Sequence, residues 1–167
     1  MGARHFDAAS NLFQSSSDIK IFDSCYEELA EKHGKTVYST DLIKEFTADK
    51  KPELVIIAST ASSHASYLKY FIENDVNYIL CEKPVCVSLQ EANDIKKIIS
   101  EKHPNVCVAI NHQIRFIEPF PTIKQFIKKD QYGPLASISI QAGNIGAAMN
   151  GTHYFEMFRF VCDEEPK

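Results

Sequence analysis

Residues 54–58, 76–81 and 106–110 are short, almost unbroken apolar runs, and helical periodicity fills the stretches between them. An apolar run of this length, flanked by turn residues, is a strand covered on both faces, as in a parallel sheet. The span 63–74 carries Ala65, Leu68, Phe71 and Ile72 on one helical face, and the span opened by the capping box Ser88-x-x-Glu91 carries Ala92, Ile95, Ile98 and Ile99. Strands alternating with helices through short connections predict a parallel sheet with right-handed crossovers. Such a sheet offers ligands the carboxyl ends of its strands.

The flanks extend the pattern and then break it. Residues 3–13 predict a helix on the stripe Phe6, Ala9, Leu12 and Phe13. Residues 19–23 predict a strand ending in Asp23. The capping box Ser24-x-x-Glu27 opens a helix that Gly34 would stop, residues 36–38 form a short strand and residues 40–46 a short helix. Beyond 110 the chain turns polar. Residues 119–129 then present Phe120, Ile123, Phe126 and Ile127 at helical spacing, Gly133-Pro134 marks a turn, and residues 152–162 predict a last helix. Between these, residues 135–141 alternate, with Ile138 and Ile140 against Ser137, Ser139 and Gln141. Period two marks a strand buried on one face, as in an antiparallel sheet. The fold class is therefore α/β: an incomplete Rossmann-type parallel sheet over residues 1–113, followed by the start of an α+β second domain over 114–167.

Composition excludes several partners. The net charge of −4, without a basic cluster, argues against nucleic acid. No apolar run approaches the roughly 20 residues of a membrane span. Residues 1–5 lack the apolar core of a secretion signal. The five cysteines form no C-x-x-C pair, which predicts reduced thiols in a cytoplasmic protein. No Cys/His cluster has metal-ligand spacing, so no metal is expected.

The second apolar run ends in Cys81-Glu82-Lys83-Pro84, which puts a carboxylate and an amine where a parallel sheet binds its ligands. Proline fixes its own φ and restricts the residue before it. The plain alternative is a solvated charge pair at a strand end. Asp23 closes a strand about 20 residues after Gly2, the spacing at which a dinucleotide fold carries the acid that binds the adenosine ribose. On that reading the carboxylate favours NAD over NADP, whose 2′-phosphate it would repel; the plain reading is a helix-entry aspartate. Gly2 would be the last glycine of a G-x-G-x-x-G turn whose earlier glycines are absent. In the strand order 3-2-1-4-5-6 the first strand is central. Here the strands at 19–22, 36–38, 54–58, 78–81 and 106–110 would be the second to sixth. The chain thus reads as a stretch of a longer protein, and by itself would bind NAD poorly for want of a pyrophosphate cradle.

These residues together resemble a known family. Met1-Gly2-Ala3-Arg4-His5, Ile21-Phe22-Asp23, Ile56-Ile57-Ala58 with His64, Cys81-Glu82-Lys83-Pro84, Arg115-Phe116 and Gly151-Thr152-His153 occur in the order seen in the glucose–fructose oxidoreductase and inositol dehydrogenase (Gfo/Idh/MocA) family. The resemblance implies a Rossmann domain joined to a domain built on an open antiparallel sheet. It also implies NAD(P)-dependent oxidation or reduction of a sugar, cyclitol or sugar derivative, in a protein that forms homo-oligomers when full length. It assigns Lys83 and His153 to catalysis. It assigns Gly2, Asp23, Ser59, Thr60, His64, Glu82, Lys83 and Pro84 to the cofactor, although position alone makes His64 a structural histidine at a helix start. Histidine titrates near neutrality, which suits His153 as the base, and Lys83 can stabilise charge developing on the substrate oxygen. Two departures stand out. Met149 occupies a position where the family commonly carries Asp, and Glu156 replaces an Asp three residues after His153, where it could face the histidine on a helix. These departures keep a second reading open, a catalytically impaired sugar- or nucleotide-binding regulatory or interaction protein. Arg115 fits either a structural or a substrate-phosphate contact. His5, His33, His103 and His112 carry no signal of their own.

Overall fold

The computed structural model of the 167-residue chain describes residues 1–13, 19–33, 36–129, 133–141, 143 and 147–163. Contacts divide it into two compact units, Met1–Ile110 and Asn111–Lys167.

The first unit runs α1 (Gly2–Leu12), β1 (Ile21–Asp23), α2 (Tyr26–His33), β2 (Val37–Ser39), a 3₁₀ turn, α3 (Ile43–Asp49), β3 (Leu54–Ile57), α4 (Ala61–Glu73), β4 (Tyr78–Cys81), α5 (Leu89–Lys102) and β5 (Cys107–Ile110). Every described ladder is parallel. β1 pairs with β2, and β3, β4 and β5 form a separate three-stranded sheet in that order. This is the mixed α/β, Rossmann-like architecture expected from the sequence. The division falls between β1 and β3.

The core follows from the helix periodicity. Ala65, Leu68, Phe71 and Ile72 of α4 pack on Val55, Ile57, Ile79 and Cys81 of the sheet, with Ile95 of α5 beside them. α4 ends in a Schellman arrangement: Val76 N–H donates to Phe71 O and Asp75 N–H to Ile72 O, each at 3.0 Å, with Asp75 at φ 57°. The left-handed position that glycine commonly fills is taken by aspartate, one of the few side chains that tolerate it. α5 carries the predicted capping box in a shifted form. Ser88 Oγ accepts the Glu91 N–H, and the Glu91 carboxylate reaches back to the N–H of Val87 rather than to that of Ser88.

Three expectations change. The strands were predicted to be covered on both faces, yet burial alternates along them: Val55, Ile57, Ile79 and Cys81 are buried while Leu54 and Tyr78 remain 42% and 59% exposed. The reason is topological. Strands that advance across a sheet in sequence through right-handed crossovers carry their helices on the same face. At α2, the predicted Ser24 cap gives way to Asp23, whose Oδ1 accepts the Cys25 N–H at 2.8 Å, and the helix starts two residues later. The predicted stop at Gly34 lies outside the described residues. Finally, residues 133–141 join no strand ladder among the described residues, so the alternating run 135–141 has no partner to pair with there.

The second unit contains a 3₁₀ turn (Gln113–Phe116), α6 (Phe120–Lys128) and α7 (Ala147–Cys162). α6 packs on α7, whose Met157 and Val161 are buried. Lys124 and Lys128 both donate to the Asp163 carboxylate at 2.7 Å, and these two cations hold its carboxyl down to about 2.

Leu68 and Ile72 are fully buried against the sheet. Leu68→Ala is expected to cost about 2–5 kcal/mol of unfolding free energy in a urea titration. Ser88→Ala is expected to cost about 1 kcal/mol.

Candidate active site

Parallel register brings the ends of β3 and β4 side by side, with Ile57 opposite Cys81. The pairing continues one step beyond the strand, where Glu82 N–H donates to Ile57 O at 2.8 Å. The loop that follows β4 is therefore mounted on the sheet. The peptide from Lys83 to Pro84 is cis.

Glu82 is 4% exposed. A carboxylate removed from water needs a partner, or its burial is strongly unfavourable. That partner is His5, whose Nε2 lies 2.7 Å from Oε1 of Glu82. This contact also carries the first turns of α1 to the carboxyl edge of the sheet. The start of α1 is open: nothing lies within 4 Å of the place where a Cβ on Gly2 would stand.

After β3, Ser59 and Thr60 lead into α4. The Ser63 hydroxyl donates to Thr60 O at 2.8 Å and lies 2.8 Å from the Ser59 hydroxyl. His64 is 2% exposed, with Nδ1 2.7 Å from Pro84 O and Nε2 3.0 Å from Ser59 O. Both nitrogens are thus engaged by main-chain oxygens. The ring is buried between the two turns, as the reading of His64 as a structural histidine at a helix start expects. Asp23 lies apart from this cluster in sequence and sheet, at the carboxyl end of β1.

Cys81 is completely buried, and its thiol lies 3.4 Å from Glu82 O, to which it donates. Burial, followed by the neighbouring Glu82 and Cys86, pushes this thiol up to about 12. Cys86 is raised as well, mainly by burial. Neither is a reactive thiolate, and Cys25, Cys107 and Cys162 are exposed. Among the described residues no group of three or more His, Cys, Asp or Glu could hold a metal ion, and no helix is long and apolar enough to cross a membrane.

In the second unit His153 lies on α7, half-buried, with its ring in a T-shaped contact with that of His112, centroids 5.8 Å apart. Glu156 pairs with Arg115, and Arg159 lies 3.6 Å from its other oxygen. Arg115 accordingly takes the structural alternative, holding the 3₁₀ turn to α7. Met149 lies in the first turn of that helix.

The structure thus brings Ser59, Thr60, His64, Glu82, Lys83 and Pro84 to one rim, joined by His5. Sequence reasoning passed over His5, whose only signal was its place one turn after Gly2. It passed over His103 and His112 too; His103 Nδ1 lies 3.2 Å from the Asp75 carboxylate.

Residues 1–111 match the family described as an oxidoreductase family with an NAD-binding Rossmann fold, and the chain belongs to it. Its relatives include the Bacillus subtilis (strain 168) protein YteT, named as an oxidoreductase, at 26% identity over 74% of this chain and 28% of that protein. The uncharacterized oxidoreductase YhhX of Escherichia coli (strain K12) is 26% identical over 84% of this chain and 36% of its own length. Among solved structures, myo-inositol dehydrogenase of Lactobacillus casei, in complex with NAD(H) and myo-inositol, aligns with a TM-score of 0.68 at 18% identity. That alignment covers 87% of this chain and 46% of the dehydrogenase. A likeness at this identity establishes the fold, and the chain spans less than half the length of each of these proteins.

The raised thiol sets a pH expectation. Folding favours the protonated form of Cys81, so its contribution to stability is complete below pH 9 and is lost as pH rises through about 12. Cys81→Ala is expected to flatten the fall of stability over that window relative to the parent chain, measured by denaturant titration at several pH values. A thiol reagent is expected to label Cys25, Cys107 and Cys162 in the folded chain, and Cys81 only on unfolding.

Proposed function

We propose that this chain supplies cofactor- and substrate-facing residues of an NAD-dependent oxidoreductase that moves a hydride between nicotinamide and the CH–OH group of a sugar, cyclitol or sugar derivative. The observation that carries the reading is the position of Lys83. It lies at the carboxyl edge of a parallel sheet between two anchored neighbours, Glu82 tied to Ile57 and His5, and Pro84 tied to His64. Catalysis by positioning needs an amine whose backbone does not wander.

The residues present suit a dinucleotide. Gly2 is assigned to the dinucleotide by the family resemblance, at the start of α1, where main-chain N–H groups favour an anion. Asp23, pinned by the Cys25 N–H, suits the adenosine ribose hydroxyls and disfavours a 2′-phosphate. Ser59, Thr60 and Pro84 border the nicotinamide side. Glu82 contributes through the loop it anchors. Nicotinamide, when bound, supplies the two-electron acceptor or donor.

The chain's own residues handle the oxygen and its proton. The Lys83 ammonium sits against the substrate hydroxyl oxygen and stabilises the negative charge that grows there as the C–H bond breaks. His153, on the second unit, takes the hydroxyl proton in oxidation and returns it in reduction. These roles are assigned unit by unit, Lys83 from its place on the rim and His153 from the family resemblance.

The test uses the protein that carries this chain. Nicotinamide absorbance is followed over a panel of sugars and inositols, beside NAD titrations of parent and Lys83→Ala. Lys83→Ala is expected to lower turnover by roughly 10²-fold or more with NAD affinity little changed. Unchanged turnover in Lys83→Ala removes the role of Lys83, and no turnover on any substrate removes the enzymatic reading.

A further inference from the structure

His64 lies in the first turns of α4 and is buried to 2% exposure, yet it reaches two different turns. Its Nδ1 contacts Pro84 O at 2.7 Å and its Nε2 contacts Ser59 O at 3.0 Å. A carbonyl oxygen only accepts, so a ring nitrogen that carries a proton donates to the oxygen it faces. The imidazole is rigid and its two nitrogens diverge, so the distance it spans between the turns is fixed.

On the other side of Lys83, Glu82 is held by its main-chain N–H to Ile57 O and by its carboxylate to His5. Removing either anchor leaves Lys83 fastened at one end.

We propose that His64 is a positioning residue whose ring, held between the main-chain oxygens of Ser59 and Pro84, sets the spacing between the turn at Ser59-Thr60 and the loop at Lys83-Pro84. It touches neither cofactor nor substrate; it acts through the main chain of both turns. The functional consequence rests on the reading of this rim given above, whereas the clasp itself can be measured without any ligand. Phenylalanine resembles the ring in shape but has no donor, and would leave both carbonyls without this partner. Glutamine keeps two N–H groups on one nitrogen and can serve the carbonyls in part.

The first test is nuclear magnetic resonance of the 15N-labelled 167-residue chain. Nuclear Overhauser contacts are expected from the His64 ring protons to protons of both turns, Ser59-Thr60 and Lys83-Pro84; a ring in contact with only one of the two turns overturns the proposal. This measurement decides the question even if every variant fails to fold. The second test compares His64→Phe with His64→Gln. In His64→Phe the main-chain amide signals of Thr60 and Lys83 are expected to shift together while those of β5 stay in place. In the protein that carries this chain, kcat is expected to fall roughly tenfold in His64→Phe and to recover in part in His64→Gln. A folded His64→Phe with unmoved Lys83 and Thr60 signals overturns the proposal, and so does one with unchanged kcat. If the parent protein transfers no hydride at all, the functional reading fails while the ring and amide measurements still decide the clasp.

Discussion

The structure depends on one parallel ladder, β3–β4–β5, and on its extension past the last strand residue. The hydrogen bond from Glu82 N–H to Ile57 O makes the beginning of a loop behave as the end of a strand. Because the register sets Ile57 opposite Cys81, both turns that could face a ligand start at one level. The ladder also fixes the core. α4 and α5 return on the same face, and the contacts of Leu68, Ile72, Ile79 and Cys81 hold that face dry. Local geometry at the rim is thus inherited from packing several residues below it.

Charge at the rim follows from the same burial. A carboxylate almost closed to water sits next to an inert thiol, and an imidazole on the first helix meets it. The histidine and the glutamate are 77 positions apart in sequence. Their contact joins the start of α1 to the loop that carries Lys83. Lys83 stands between two anchored neighbours, Glu82 before it and Pro84 after it.

Much of this was legible in the sequence, for identifiable reasons. The three apolar runs and the Ala65, Leu68, Phe71, Ile72 stripe report burial directly, so strands and helices fall within a few residues of expectation. The Ser88 cap was legible because its partners lie within four residues. Three things were not. Coverage of both sheet faces was inferred from strand composition, whereas it depends on the side to which the helices return. The run 135–141 has the alternation of a strand, but a ladder needs a second strand, and periodicity says nothing about where one comes from. The partners of the two histidines at the rim were not legible, because they are a distant carboxylate and two main-chain oxygens. A carbonyl has no residue identity, so no spacing rule points to it. Glu156 shows the converse: helical spacing allowed it to face His153, and the cations of Arg115 and Arg159 engage it.

The separation of β1–β2 from the three-stranded sheet has a mechanical consequence. Asp23 rides on a small pair of strands, where Phe22 and Tyr38 cluster with Phe46 of α3 and Phe22 also meets the main core, whereas Lys83 follows the last strand residue of the larger ladder. No backbone hydrogen bond of a shared sheet couples the two among the described residues. Asp23 and Lys83 are thus seated on separate hydrogen-bonded platforms within one compact unit, Met1–Ile110.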